Sequence, residues 1–270
     1  MNMRKAILVA LTSFYAILWM GGIGSHFWYG RTPDGALWAA PLFLLLAGVL
    51  VLLTADRTER FVLLAVAALG FAAEVIGVHF GVPFGRYEYT DVLQPQMLRV
   101  PIVMAAAWVV LIAYVRAMLT RFQLPSWLAT LIGSGWMTAI DLVIDPLAAG
   151  GLNYWRWSEH GAYYGIPLQN FFGWFVVSWL IFLLLQFVPP SAEQPSPGAT
   201  VIGLSILLFF TLIALAQHAG LIVGIGSALC FVHLAIMQSR ARRLVHRSEQ
   251  EKFSAAPVPT TNPLSERHTS

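Results

Sequence analysis

The sequence predicts an all-α fold, a polytopic transmembrane helix bundle with about eight spans. Three observations carry that prediction. Of the 270 residues, 58% are apolar. Only 11% are charged, against about 25% in a soluble domain. The apolar residues also fall into runs of roughly 17–25, the length that crosses a bilayer. A water-soluble globule of this size could not hide so much apolar surface, and the mean hydropathy is +0.70. A soluble enzyme, a disordered chain and a nucleic-acid binder are therefore excluded, and the lipid bilayer is the first expected partner.

Taken in order, the runs are Ala6–Gly24, Ala36–Leu53, Phe61–Val78, Val100–Leu119, Trp127–Leu147, Asn170–Val188, Thr200–Gln217 and Gly220–Gln238. The last two meet so closely at His218–Gly220 that they form either a hairpin or one broken segment, so seven spans are possible. The first run follows Arg4 and Lys5 as a signal peptide does, but it is long for one and lacks a small-residue cleavage site. It is read as a transmembrane helix. Of the sixteen Lys and Arg residues, twelve fall on the side that eight spans assign to both termini. Arg31, Arg86, Arg99 and Arg156 fall on the other. The positive-inside rule then predicts a multi-pass protein of the cell membrane with both termini cytoplasmic and the 79–99 and 148–169 loops outside.

Residues 1–240 read as a single transmembrane domain. Within it, Val188–Gly198 is a Pro/Ser-rich linker between halves. Residues 241–270 read as a basic segment followed by a disordered tail, since Ser254–Ser270 is rich in Pro, Ser and Thr with little apolar content. The Arg240–Arg247 cluster suits a stop-transfer signal that also meets anionic headgroups. Cys230, in an apolar run, is a packing residue and excludes a disulfide framework.

Ionisable residues at bilayer depth are the informative ones, because a carboxylate there costs about 2.5–3.5 kcal/mol on insertion scales. Three stand out: Glu74, Asp141 and Asp145. Asp141 and Asp145 are four apart and share a helix face. Ser134 and Thr138 continue that face, giving a polar seam. Gly70, Glu74, Gly77 and Gly81 follow the same 4-3-4 spacing, and their glycines let another helix approach the carboxyl. Such acids either glue helices together or line a functional cavity, and two stacked acids with a third favour the cavity. Out of water a carboxyl group favours its neutral form, which can donate a proton to a substrate lying in lipid.

The loops beside these helices are dense in aromatics and glycine: HFGVPFGRYEYT at His79–Thr90 and NYWRWSEHGAYYGIPLQNFFGW at Asn153–Trp174. Both contain an aromatic-Gly-(Val/Ile)-Pro unit, at Phe80–Phe84 and Tyr164–Leu168. Trp155, Trp157, Tyr163 and Tyr164 suit an interfacial aromatic belt. Tyr87, Tyr89, Trp155, Trp157 and Trp174 equally suit the walls of a groove for a rigid apolar molecule, where ring faces could steady a cation. Asn170, Trp174 and Ser178 step by four and give the sixth span a polar-aromatic face, with Asn170 able to position a water or a carboxyl. Tyr164 and Asn170 join the candidate binding residues. Arg86 and Arg156 read as headgroup contacts rather than partners of the acids, and His79 as a minor candidate to assist Glu74.

Other chemistries lack their residues. The seven histidines form no close pairs, which argues against an iron oxygenase. There is no nucleotide-binding glycine motif, Walker loop or nucleophile elbow. Asp141-x-x-x-Asp145 matches half of a magnesium-diphosphate site, but the second aspartate cluster is missing. No metal site and no cofactor is expected.

Two blocks together resemble the integral-membrane carotenoid biosynthesis family, which includes carotenoid 1',2'-hydratases and the bisanhydrobacterioruberin hydratases of haloarchaea. One is E-x-I-G-V-x-F-G-x-P-F-G-x-Y-x-Y, from Glu74 to Tyr89. The other runs Asp141…Asp145…Trp155-Arg-Trp157…Tyr163-Tyr164-Gly165-Ile166-Pro167-Leu168…Asn170…Gly173-Trp174. The likeness is strongest over residues 60–190. It implies hydration of the terminal C1',2' double bond of an acyclic carotenoid ψ end group to a tertiary alcohol, a hydro-lyase reaction on a polyene substrate. Other enzymes of carotenoid biosynthesis become candidate partners. The residues suit that chemistry, with Asp141, Asp145 and Glu74 as the acid–base groups; which carboxyl donates stays open. Two alternatives also fit: another metal-free isoprenoid end-group enzyme, a cyclase or isomerase, and a non-catalytic transporter or carotenoid-binding protein.

Overall fold

The structure is a computed structural model that describes residues 3–122, 124–188 and 197–254. The core of the expected linker and nearly all of the expected tail, residues 189–196 and 255–270, lie outside the described residues. Among the described residues the fold is all-α. Eight helices follow the eight apolar runs: α1 Met3–Tyr29, α2 Ala39–Thr54, α3 Arg57–Phe80, α4 Val103–Leu119, α5 Ser126–Ala149, α6 Leu168–Leu185, α7 Pro197–Ala216 and α8 Gly220–Ser254. The chain groups into two units, Met1–Cys230, which holds the bundle, and Phe231–Ser270, which is helical through Ser254. The tight His218–Gly220 connection is a turn between two helices, with His218 in the left-handed region at φ 58°.

Among the described residues, seven helices are long and apolar enough to cross a membrane. The exception is α4, with 17 residues. At about 1.5 Å per residue it is shorter than a bilayer core of roughly 30 Å. It is also the most enclosed helix, packed against α2, α3, α5 and α7, and Trp108, Ile112, Ala113 and Tyr114 on it are wholly buried. A helix wrapped by protein on all sides has no need to match the thickness of the lipid.

Local sequence explains the ends that position the interior. At the start of α3, Asp56 caps the helix by accepting from the Glu59 amide at 2.8 Å, the Asp-x-x-Glu arrangement of a capping box. Gly81 ends it in the left-handed region at φ 70°, where glycine carries no Cβ penalty. In α5, Pro146 has no N–H to give to the Leu142 carbonyl one turn back. The Tyr163 hydroxyl donates to that carbonyl instead, at 2.8 Å, and so pins the 148–167 loop to the helix that carries both aspartates.

The two loops expected on one side do meet. Tyr87–Tyr89 forms strand β1 and Trp155–Trp157 forms β4, paired antiparallel with Tyr87 opposite Trp157 and Tyr89 opposite Trp155. Between them, β2 (Gln96–Met97) and β3 (Val100–Pro101) make a second small ladder. The Thr90 hydroxyl extends the first ladder by donating to the Asn153 carbonyl at 2.6 Å. Tyr-Glu-Tyr and Trp-Arg-Trp alternate with the two-residue period of a strand, so aromatic rings point inward and the exposed Glu88 and Arg156 outward.

Helices α3 and α4 approach each other at Gly70. A Cβ there would run into the Trp108 indole. Gly70→Ala is expected to lower stability by about 1–3 kcal/mol through overpacking, which outweighs the roughly 1 kcal/mol gained in helix propensity. Thermal unfolding in detergent checks this; an unchanged midpoint would show that the indole has room to move.

Candidate functional site

The three carboxyl groups singled out in the sequence are all buried: Glu74 is 4% exposed, Asp141 3% and Asp145 1%. None faces lipid. Glu74, on α3, is held by three donors. The hydroxyls of Tyr87 and Tyr89 donate to its Oε2 at 2.5 and 2.9 Å. The Trp108 indole on α4 donates to its Oε1 at 3.1 Å. Burial and the neighbouring Glu74 carboxyl push both tyrosine hydroxyls well above the ordinary phenol range, so both remain protonated donors at neutral pH.

Asp141 and Asp145, one turn apart on α5, are joined by a single amide. Asn170, at the start of α6, donates through its Nδ2 to Asp141 Oδ2 and to Asp145 Oδ2, each at 2.7 Å. Asp145 Oδ1 accepts from the Trp155 indole of β4 at 2.6 Å. The Trp157 Nε1–H is also buried and interacts with the same Asp145 carboxyl. The acids are therefore met by neutral donors, and no Lys, Arg or His lines either space beside them.

Two chambers adjoin these groups. The one called polar here for the groups that border it is lined by Glu74, Tyr87, Tyr89, Asp145, Trp157 and Asn170, with Phe84, Met104, Trp155 and Trp174, and most of its open surface is apolar. Its space open to the centre of a water-sized sphere is about 20 Å³, and one water needs about 10–15 Å³ on that measure. The second chamber is almost wholly apolar. Leu44 and Ala47 of α2, Ala107, Val110 and Leu111 of α4, Ile206 and Phe210 of α7, and Leu93 shape it, and Asp141 is its acidic residue. It offers about 50 Å³ on the same measure. Met104, Trp155 and Trp174 border both chambers. Trp174 stacks on Trp108 at 4.6 Å between ring centres and 15° between planes, while Tyr87 and Trp157 lie 5.0 Å apart.

Most of the residues expected from sequence thus converge. Glu74, Asp145, Tyr87, Tyr89, Trp155, Trp157, Asn170 and Trp174 share the polar chamber, and Asp141 reaches it through Asn170 while facing the apolar one. Tyr164 does not join them. It is 47% exposed, sits at φ 49° and packs edge-on against Tyr163. Arg86, Arg156 and His79 are exposed, and His79 Nδ1 pairs with the Val75 carbonyl of its own helix at 2.9 Å. Ser134 and Thr138 donate to carbonyls of their own helix rather than into the hollow. Sequence reasoning missed Trp108 and Met104. A tryptophan in the middle of an apolar span, with an N–H that must find an acceptor, was the available signal for the first.

The repeated aromatic-Gly-(Val/Ile)-Pro units share a left-handed glycine, although Val82–Pro83 is cis and Ile166–Pro167 is not. Gly81 and Gly165 both take positive φ, at 70° and 82°. The first unit leaves α3 and the second leads into α6, and the Gln169 side chain donates to the Gly81 carbonyl at 3.0 Å. A Cβ on Gly173 would lie 2.9 Å from the Pro83 carbonyl, so the first unit seats on α6 beside Trp174.

Fold and hollow together define a multi-pass helical membrane protein with a carboxyl-lined interior cavity under an aromatic cap. The chain belongs to the carotenoid biosynthesis protein family, whose pattern it matches over residues 38–236, a stretch that contains every residue of both chambers. It is 32% identical over 154 residues to bisanhydrobacterioruberin hydratase of Haloarcula japonica, a match covering 53% of this chain and 49% of that protein. The matched stretch thus spans about half the length of that relative. No solved structure matches. The family gives this protein a role in carotenoid biosynthesis.

Proposed function

We propose that this protein is a hydro-lyase that adds water across the terminal C1',2' double bond of an acyclic carotenoid ψ end group, giving a tertiary alcohol. The observation that carries the reading is the amide-bridged pair of buried carboxyls, set between an apolar chamber on the Asp141 side and a water-sized polar one on the Asp145 side. The name of the haloarchaeal relative agrees with it.

In this reading the tip of the polyene enters the apolar chamber, and Asp141, the acid facing that chamber, gives its proton to C2'. The electron pair of the double bond forms the new C–H bond and leaves a tertiary cation at C1'. Trp155 and Trp174, which border both chambers, are the aromatic groups assigned to stabilise that charge. A water from the polar chamber bonds to C1' and loses a proton to Asp145. Asp145 then holds the proton that Asp141 lost, its return to Asp141 restores the starting state, and Asn170 holds the two carboxyls at one distance throughout. Glu74 fixes Tyr87 and Tyr89, and with them the cap. The reaction moves a proton and a water and changes no oxidation state overall, so its chemistry calls for no cofactor. A cell-membrane location with both termini cytoplasmic is part of the proposal, supported by the distribution of basic residues.

Pigment mass tests the reading. Cells that make lycopene or γ-carotene and express this chain are expected to accumulate a pigment heavier by one water. An unchanged mass with altered retention would replace hydration by cyclisation or isomerisation. An unaltered pigment would remove the enzymatic reading.

A further inference from the structure

At the end of the bundle opposite the aromatic cap, a cleft opens where α4 ends, α5 begins and α6 ends. It offers about 240 Å³ to water-sized centres. Its character is divided. Leu119, Phe122, Leu124, Phe182 and Leu185 form an apolar wall, and Arg116 is the charged residue. The Arg116 Nη1 is buried and has no hydrogen-bond partner among the described residues, and no Asp or Glu lines the cleft.

Several polar side chains there are engaged with neighbours, Thr120 donating to the Ala117 carbonyl at 3.1 Å. Gln186 donates to the Ser126 carbonyl and to Thr130 Oγ1, and Thr130 donates to the same carbonyl. A buried guanidinium donor without an acceptor calls for a ligand that brings one. The adjoining apolar wall calls for hydrocarbon. Pro125 provides no side-chain cap at the start of α5, so the positive end of that helix dipole faces the same region. Arg57, Arg60 and Arg121 lie at this end of the bundle too, and basic residues at one end are what an anionic leaflet attracts.

We propose that this cleft is a binding site for an anionic phospholipid, with the phosphate on Arg116 and one acyl chain along Phe182 and Leu185. The site is separate from the carboxyl chambers and does not depend on the reaction assigned to them. Arginine suits the task because its planar donors match phosphate oxygens, and the phosphate replaces the water that burial removes.

The test uses the full chain purified in non-ionic detergent and depleted of lipid. Thermal unfolding and native mass spectrometry are followed as phosphatidylglycerol, phosphatidylcholine or inorganic phosphate is added. Phosphatidylglycerol is expected to bind and stabilise the wild type more than phosphatidylcholine does. Arg116→Gln is expected to weaken that binding about tenfold, the scale of one lost charge-assisted hydrogen bond, and Arg99→Gln, exposed at the other end, to leave it unchanged. Ala129→Phe, which fills the cleft and keeps the charge, is expected to weaken it similarly, and it decides the matter if Arg116→Gln does not fold. Equal phosphatidylglycerol binding by wild type and both cleft variants would overturn the site. Protection by inorganic phosphate equal to that by phosphatidylglycerol would overturn the lipid assignment in favour of a free anion.

Discussion

Asp141→Asn and Asp145→Asn are each expected to reduce pigment conversion by about 10²–10⁴-fold, the range that a positioned proton donor or acceptor contributes, while the protein still accumulates in the membrane. An amide has nearly the volume of the carboxyl it replaces but cannot pass a proton on. The two variants differ in their structural consequences. At position 141 the new amide can turn its oxygen to Asn170 and its nitrogen toward the apolar chamber, so the Asn170 contact survives. At position 145 both carboxyl oxygens accept, one from Trp155 and one from Asn170. An amide must place its nitrogen against one of those donors, and the mismatch costs about 1–3 kcal/mol. Asp141→Asn is thus the cleaner test of chemistry and Asp145→Asn the one with a measurable loss of stability. Quantifying hydrated pigment per amount of membrane protein separates the two effects. Normal turnover in both variants would end the acid–base assignment.

Glu74→Leu is expected to be the most destabilising change at the site, by about 3–5 kcal/mol. Leucine is close in size but accepts nothing, so three buried donors lose their acceptor together. The tyrosine hydroxyls can rotate toward each other, their rings being 5.5 Å apart. The Trp108 N–H is fixed by its ring and by stacking on Trp174, and has no such escape. Against a typical total stability of about 5–15 kcal/mol, the loss is large enough to shift the unfolding midpoint clearly in detergent. Glu74→Gln keeps one acceptor oxygen and is expected to lose about half as much. A Leu variant as stable as the wild type would show that the three donors find other acceptors and that Glu74 does not hold the cap.

Much of this arrangement was legible in the sequence because its signals are local. Each apolar run became a helix, since hydropathy alone dictates helical structure where backbone groups cannot reach water. Spacing by four put Asp141 beside Asp145 and Asn170 beneath Trp174, because the α-helical turn fixes which side chains share a face. The Gly70–Glu74–Gly77 stripe announced a close neighbour, which Trp108 and Tyr87 proved to be. Tyr164 shows where such reasoning stopped: aromatic company in the same loop drew it into the candidate set, yet a positive-φ turn aims it away from the hollow.

The sequence by itself determined the environment of the chain, the number and order of its apolar helices, and the presence of three acids where acids are costly. Only the tertiary structure decided that Tyr-Glu-Tyr and Trp-Arg-Trp close over the same hollow, that one asparagine spans two carboxyls, and that Asp141 looks toward hydrocarbon while Asp145 looks toward space for water. Periodicity along a chain specifies which face of a segment is apolar. Which donor meets which carboxyl depends on how distant segments pack, because a hydrogen bond spans about 3 Å and no local rule fixes positions across the bundle to that tolerance.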